Sequence, residues 1–279
     1  YRWVEHLSPA ATERNMFITL GYASMELSKF NEAEKYFSKA KYSANITDSV
    51  FIAGTTLREA DAVFMQKDYK KAIALYDQVI NANTSDADYA KFQKAIILGL
   101  SGNNKEKSAL LISLITAAPP SKYLNEARYE LGLTYIEDNK YSAAINTMLP
   151  LTEAYEVRNM APKAWMRIGF AYQQADDEHK AIDAYKHIVL EYPTSEERPA
   201  ALDALKSLYI QTGNPEGYAK LLEDNNMGGA EENTLDSAYY ATAETQYAAN
   251  NWGRAISLFN DYINKYPNGV FIVKAHYYK

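Results

Sequence analysis

The sequence predicts an all-α fold of about seven helix-turn-helix hairpins stacked in series as a solenoid. Three observations predict it. Alanine recurs at Ala33, Ala72, Ala109, Ala144, Ala181 and Ala255, at steps of 35 to 39 residues, with Tyr218 or its neighbour Ala219 filling the one gap. Twelve residues before these positions stand Gly21, Ala60, Ile97, Gly132, Gly169, Lys206 and Ala243, most of them small. No segment sustains the apolar–polar alternation that a half-buried strand needs. A fixed period of this length means a repeat array.

The hairpins are expected at 10–43, 48–82, 86–117, 122–155, 160–191, 197–224 and 234–265, in one array over 1–279. In the first, Pro9 opens the chain's first long helix, SKFN makes the turn, and Phe30, Ala33 and Phe37 share a face. In the second, QKDY turns into Tyr69, Ala72, Ile73 and Tyr76. The third is degenerate, with Ile97 in its small position, and Pro119 ends it. The fourth turns at EDNK into Tyr141, Ala144 and Ile145. Pro150 falls inside its second helix and predicts a kink or early stop after Met148. The fifth is the most regular: Trp165, Ile168, Gly169 and Tyr172, then QADDE, then Ala181, Ile182 and Tyr185, closed by Pro193. Gly169 and Ala181 are expected to face each other where the two helices cross. Close packing must there offset the ~1 kcal/mol that glycine costs a helix. The sixth has Lys206 in its small position and TGNPE as its turn, so it and the third are expected to be looser or shifted. EDNNMGGAEENTLD then reads as a linker. The seventh turns at ANNW into Trp252, Ala255, Ile256 and Phe259, closed by Pro267. Ala275 to Lys279 aligns with Ala127 to Leu131, so 269–279 is expected to begin a further, truncated repeat. Tyr1 to Leu7 fits the tail of a preceding helix, and an interior fragment of a longer array is expected.

Composition narrows the partners. Of 279 residues 47% are hydrophobic and 23% charged, with a net charge of −6 and no basic run, which disfavours nucleic acid. Cysteine is absent, which removes disulfides, thiolate metal sites and thiol nucleophiles. No stretch reaches the ~18–20 apolar residues of a membrane helix. The chain starts at Tyr1 with no signal-peptide pattern, leaving any address or lipid anchor out of view. Tyrosine is abundant, 24 residues, and suits half-buried surface because its ring packs while its hydroxyl stays wet.

Catalytic and metal chemistry finds no foothold in the sequence. No phosphate-binding glycine loop, GxSxG elbow or HExxH occurs. His179 and His187 share a helix near Asp176, Asp177 and Glu178, and a solvated, dipole-favoured helix start is the better reading. The tripeptides at Asn45 and Asn83 match glycan acceptor sequons, a pattern that arises often by chance. No cofactor, metal or catalytic residue is assigned.

The pattern resembles the tetratricopeptide repeat family. Residues 162–195 carry its Trp, small residue, Tyr, Ala, aromatic and Pro as Trp165, Gly169, Tyr172, Ala181, Tyr185 and Pro193. The unit from 123 keeps Leu131, Gly132, Tyr135, Ala144 and Ile145. The common step of 37 and the closing Tyr192-Pro193 and Tyr266-Pro267 are similar to long-period bacterial members, the periplasmic Tol-Pal coordinator and an outer-membrane assembly lipoprotein among them. The resemblance implies a right-handed superhelix with first helices on a concave groove, binding protein or peptide segments. It also implies a periplasmic or outer-membrane-associated setting.

The groove residues so implied are Tyr22, Met25, Phe64, Tyr129, Lys163, Met166, Arg167, Phe170, Gln173, Tyr240, Glu244 and Tyr247, where apolar anchors alternate with polar groups. The competing reading is that several of them pack against the next repeat. The carboxylate clamp of some relatives is not expected. Lys94, Lys163 and Arg167 occupy three of its places, but Leu98 and Glu130 stand where asparagines belong. The expected function is a non-catalytic scaffold or adaptor, with self-association through terminal repeats a further expectation. The alternatives are a glycan-binding uptake component and the helical accessory region of an enzyme.

Overall fold

A computed structural model describes residues 9–42, 48–153, 159–225, 227 and 232–279. Among them there are sixteen helices and no strand. The chain divides into two compact units, Tyr1–Asp138 and Asn139–Lys279.

The first unit runs α1 (Pro9–Glu26), α2 (Phe30–Tyr42), α3 (Ser49–Met65), α4 (Tyr69–Ala82), α5 (Ala87–Leu100), α6 (Asn104–Ile115) and α7 (Leu124–Glu137). Each helix packs on its sequence neighbours, which is the signature of a stack of hairpins. The second unit runs α8 (Tyr141–Met148), α9 (Pro150–Glu153), α10 (Ala161–Gln174), α11 (Glu178–Glu191), α12 (Arg198–Gln211), α13 (Pro215–Asp224), α14 (Glu232–Ala248), α15 (Trp252–Lys265) and α16 (Ile272–Tyr278). The expected fourth hairpin thus has its first helix in one unit and its second in the other. Pro150 acts as expected: α8 stops at Met148 and the chain restarts as the single turn α9. The expected linker is shorter than its sequence suggests, because its last residues, from Glu232, already form α14.

Seven turns share one geometry. Ser28, Lys67, Gly102, Asn139, Asp176, Gly213 and Asn250 all have φ between 56° and 74°, and each stands two residues before the second helix of its hairpin. The residue after this left-handed tip donates its N–H to a carbonyl five residues upstream. Lys29 reaches Ser24, Asp68 reaches Val63, Asn103 reaches Leu98 and Asp177 reaches Tyr172. At four of the seven turns the same residue then caps the next helix: Asp68, Asn103, Asp177 and Asn214 accept from the N–H three positions on. One residue therefore ends a helix and its successor starts another.

The tips correct the register of the third hairpin. With Gly102 as the tip, the position filled by alanine elsewhere belongs to Lys107, not Ala109, and the small position belongs to Ala95, not Ile97. Ala109 is exposed, whereas Ala95 is fully buried. Lys107 is 6% exposed, and its ammonium lies 3.1 Å from Glu130 of α7. Helix α12 packs on α13 more sparsely than α1 on α2, α10 on α11 or α14 on α15, which is the looseness expected at Lys206. Its long side chain leaves the crossing to donate to Ser237 at 3.0 Å, and Tyr218 fills the alanine position, buried against Tyr209.

The glycines serve a different contact from the one expected. A Cβ on Gly169 would stand 2.6 Å from the Tyr185 ring, and one on Gly21 would stand 2.6 Å from the Phe37 ring. Glycine makes room for the aromatic four residues after the alanine position, rather than for the alanine itself.

Candidate partner-binding surface

In the first unit, α1, α2 and α3 enclose a cleft of about 230 Å³ lined by Ile18, Tyr22, Phe37, Phe51, Gly54, Thr55, Arg58 and Asp86. Ile18 and Tyr22 are four apart on α1, and Phe51, Gly54, Thr55 and Arg58 follow three- and four-residue spacing on α3, so each helix presents one stripe. The Tyr22 ring is 48% exposed and meets Phe37 edge-on at 5.4 Å.

Behind the cleft lies a polar network. Arg58 Nη1 is 2.9 Å from Asp61 Oδ2, and the Tyr76 hydroxyl donates to Asp61 Oδ1 at 2.8 Å. Burial raises the Asp61 carboxyl above the usual carboxylate range, against the opposing pull of Tyr76 and Arg58. Tyr89, also bonded to Asp61, is pushed up to about 12 by burial and by that carboxylate. Tyr89 and Phe92 in turn pack on Tyr123, at 5.6 and 5.7 Å. Helices α3, α4 and α5 and the start of α7 are so linked along one polar-aromatic strip.

The expected groove residues separate into two kinds. Tyr22, Lys163, Arg167, Phe170 and Glu244 are exposed, Phe170 by 40%. Met25 packs on Ala33, Phe37 and Ala62, and Phe64 on Tyr69 at 6.0 Å. Met166 packs on the buried cluster of α11 to α13. Gln173 accepts from the Tyr185 hydroxyl at 3.4 Å, Tyr129 is half-buried, and Tyr247 packs between Trp252 and Tyr278. Tyr240 is a correction. It is 3% exposed, its ring covered by Phe271 at 4.5 Å and 13°, because the chain after α15 folds back over it. Only its hydroxyl reaches outward, to Glu244 at 3.2 Å.

Arg14, Phe51, Arg58 and Asp86 were missed from sequence. The groove positions that the family register implies on α1 and α3, Tyr22, Met25 and Phe64, lie further along those helices than Arg14, Phe51 and Arg58. The i, i+4 spacing of Arg14, Ile18 and Tyr22 was the available signal. The sequon asparagine Asn83 is the left-handed residue closing α4, and Asn45 lies outside the described residues. Among the described residues no group of three His, Cys, Asp or Glu is placed to hold a metal, and no helix is long and apolar enough to cross a membrane.

Comparison with known proteins supports the fold. The sequence model of the tetratricopeptide repeat matches residues 163–195 and 237–269. A tetratricopeptide repeat protein from Parabacteroides merdae is similar over 96% of this chain and 98% of its own, with 15% identity and a TM-score of 0.58. The C-terminal part of a repeat protein from Cytophaga hutchinsonii is similar over 91% and 97%, with 13% identity and a TM-score of 0.58. MamA from Desulfovibrio magneticus is similar over 66% and 98%, with 19% identity and a TM-score of 0.54. No curated protein matches by sequence. The fold is one generally used as a protein–protein interaction scaffold. Two of its repeats thus match the tetratricopeptide repeat by sequence, and both units carry the stacked helical hairpins of that fold.

Proposed function

We propose that the chain is a non-catalytic adaptor that holds segments of partner proteins on its first helices, in a bacterial cell-envelope assembly. One observation carries the binding surface. Tyr22 and Phe170 sit one residue past the small positions Gly21 and Gly169 on two different first helices and are 48% and 40% exposed. Phe170 has Lys163 and Arg167 on the same exposed side of α10, so an aromatic anchor is flanked by orienting cations. The envelope setting draws on the 37-residue step and the Tyr-Pro closures alone.

The test is capture by the intact protein from an envelope extract, with wild type, Tyr22→Ala, Phe170→Ala and an outer-helix control, Lys35→Ala, in parallel. The expected result is a partner lost with one or both aromatics and kept with the control. Loss with Lys35→Ala only would place binding on the second helices. A glycan array that binds where no protein does would move the reading to carbohydrate.

A further inference from the structure

The cleft of the first unit carries a more specific reading, which rests on the adaptor function just proposed. Arg14 lies one turn before Ile18 on the same stripe of α1, with its guanidinium 4.7 Å above the Phe51 ring that lines the cleft. Its Nε is shut off from solvent and has no hydrogen-bond partner. That nitrogen is closed to a docking group as well, but Arg14 as a whole is only half-buried. No carboxylate of the described residues pairs with its guanidinium, whose remaining nitrogens can meet an incoming acceptor. Arg58, by contrast, is already held by Asp61, so it forms a wall of the cleft rather than a free cation. Asp86 lines the same cleft, and its side chain makes no cap bond to α5. An aromatic and aliphatic cavity thus carries one cation without a carboxylate partner at its edge and one uncommitted acceptor in its wall.

We infer that this cleft takes an acidic peptide segment of a partner protein. One large apolar side chain enters between Tyr22, Phe37 and Phe51, and a neighbouring carboxylate of the peptide accepts from Arg14. Asp86 accepts from the peptide's own N–H. A basic segment would leave the Arg14 donor unmet and set a second cation beside it, which is why the charge is assigned as acidic.

Gly54 gives a direct way to close the cleft. A Cβ there meets only Asp86 Oδ2, at 3.5 Å, which is ordinary contact, so a larger side chain can be built into the open space. The probe is a displayed library of random dodecapeptides panned on the full chain. The expected enrichment is Leu, Phe, Met or Trp next to Asp or Glu. The best such peptide, made synthetically, should lose about tenfold or more in affinity to Gly54→Leu, Tyr22→Ala and Arg14→Gln. Gly54→Leu should at the same time melt no lower than wild type, since leucine is the better helix former. Enriched peptides that are basic, or that bind all three variants as well as wild type, overturn the inference. If such peptides are instead lost with Phe170→Ala, the adaptor reading stands with its anchor in the second unit. Enrichment of no peptide overturns both.

Discussion

The two units hold neighbouring helices together by different chemistry on the same backbone plan. In the first, ion pairs cross the joints between successive hairpins, with the packing of Tyr89 and Phe92 on Tyr123 beside them. Lys41 of α2 meets Glu59 of α3 at 2.7 Å, with both side chains 8% exposed, and Lys107 of α6 meets Glu130 of α7. Glu34 of α2 accepts from Lys71 of α4 at 2.6 Å and from Gln66 at 2.7 Å. In the second unit the last joints are aromatic. Tyr240 stacks on Phe271, Tyr278 packs on Tyr247 and Phe259, and Tyr239 meets Tyr266 edge-on. A buried charge pair fails badly when one partner goes, because the other is left in a poor dielectric. Stacked rings give up area in proportion to what is removed. One repeat geometry therefore supports one unit that breaks sharply and one that yields gradually.

The largest effect that would test this contrast is at the Lys41 pair. Lys41→Met strands Glu59 and should destabilise by about 3–5 kcal/mol, whereas the double change with Glu59→Leu should restore most of the loss. Denaturant melts of the single and double variants decide it, and equal losses would show that the charge pair is not what holds the joint. A smaller loss, about 1–3 kcal/mol, is expected for Gly169→Leu, which drives a side chain into the Tyr185 ring in the second unit. Lys180→Leu, on the exposed side of α11, should be close to neutral by the same measurement.

Alkali tests the aromatic side of the contrast. Tyr185, Tyr239, Tyr240 and Tyr262 of the second unit are each pushed up to about 12, chiefly by burial, while in the first unit Tyr89 is pushed up to about 12 and Tyr76 further. Below about pH 10 both folded and unfolded tyrosines are protonated and the contribution is complete. Between 10 and 12 the unfolded chain ionises first, so stability falls as pH rises and is spent above 12. Absorbance at the tyrosinate band should show a delayed fraction that ionises only as the fold is lost. Hydrogen exchange read by peptide should open α14 and α15 in that window. A single tyrosine transition near 10 would contradict the burial of these rings. The smallest effect is expected at the exposed aromatics: Tyr22→Ala and Phe170→Ala should leave the melting temperature within about a degree or two while changing partner capture. A large drop in either would mean that the ring packs rather than binds.

Helix number, turn positions and the buried alanines were legible because each follows from spacing inside one or two turns of helix. Ala33, Ala72, Ala144, Ala181 and Ala255 are each at most 1% exposed, as their period implied. The third hairpin was misread because an alanine at 109 mimics the repeat while a lysine holds the true position. Only the left-handed Gly102, a conformational signal, fixes the register. The cover over Tyr240 was hidden for another reason: Phe271 is 31 residues away, and no local pattern couples the two. The same holds for Arg14 over Phe51, a contact between hairpins. What the sequence conceals here is the company a side chain keeps across helices.

The seven left-handed tips have a consequence for how such a chain can change length. Because all seven turns share the left-handed tip and its two-residue spacing to the next helix, a genetic crossover between any two tips would join helices that already fit that bend. Whole units of about 37 residues could then be gained or lost without a strained junction, while an exchange anywhere else would shift the register of every buried alanine downstream.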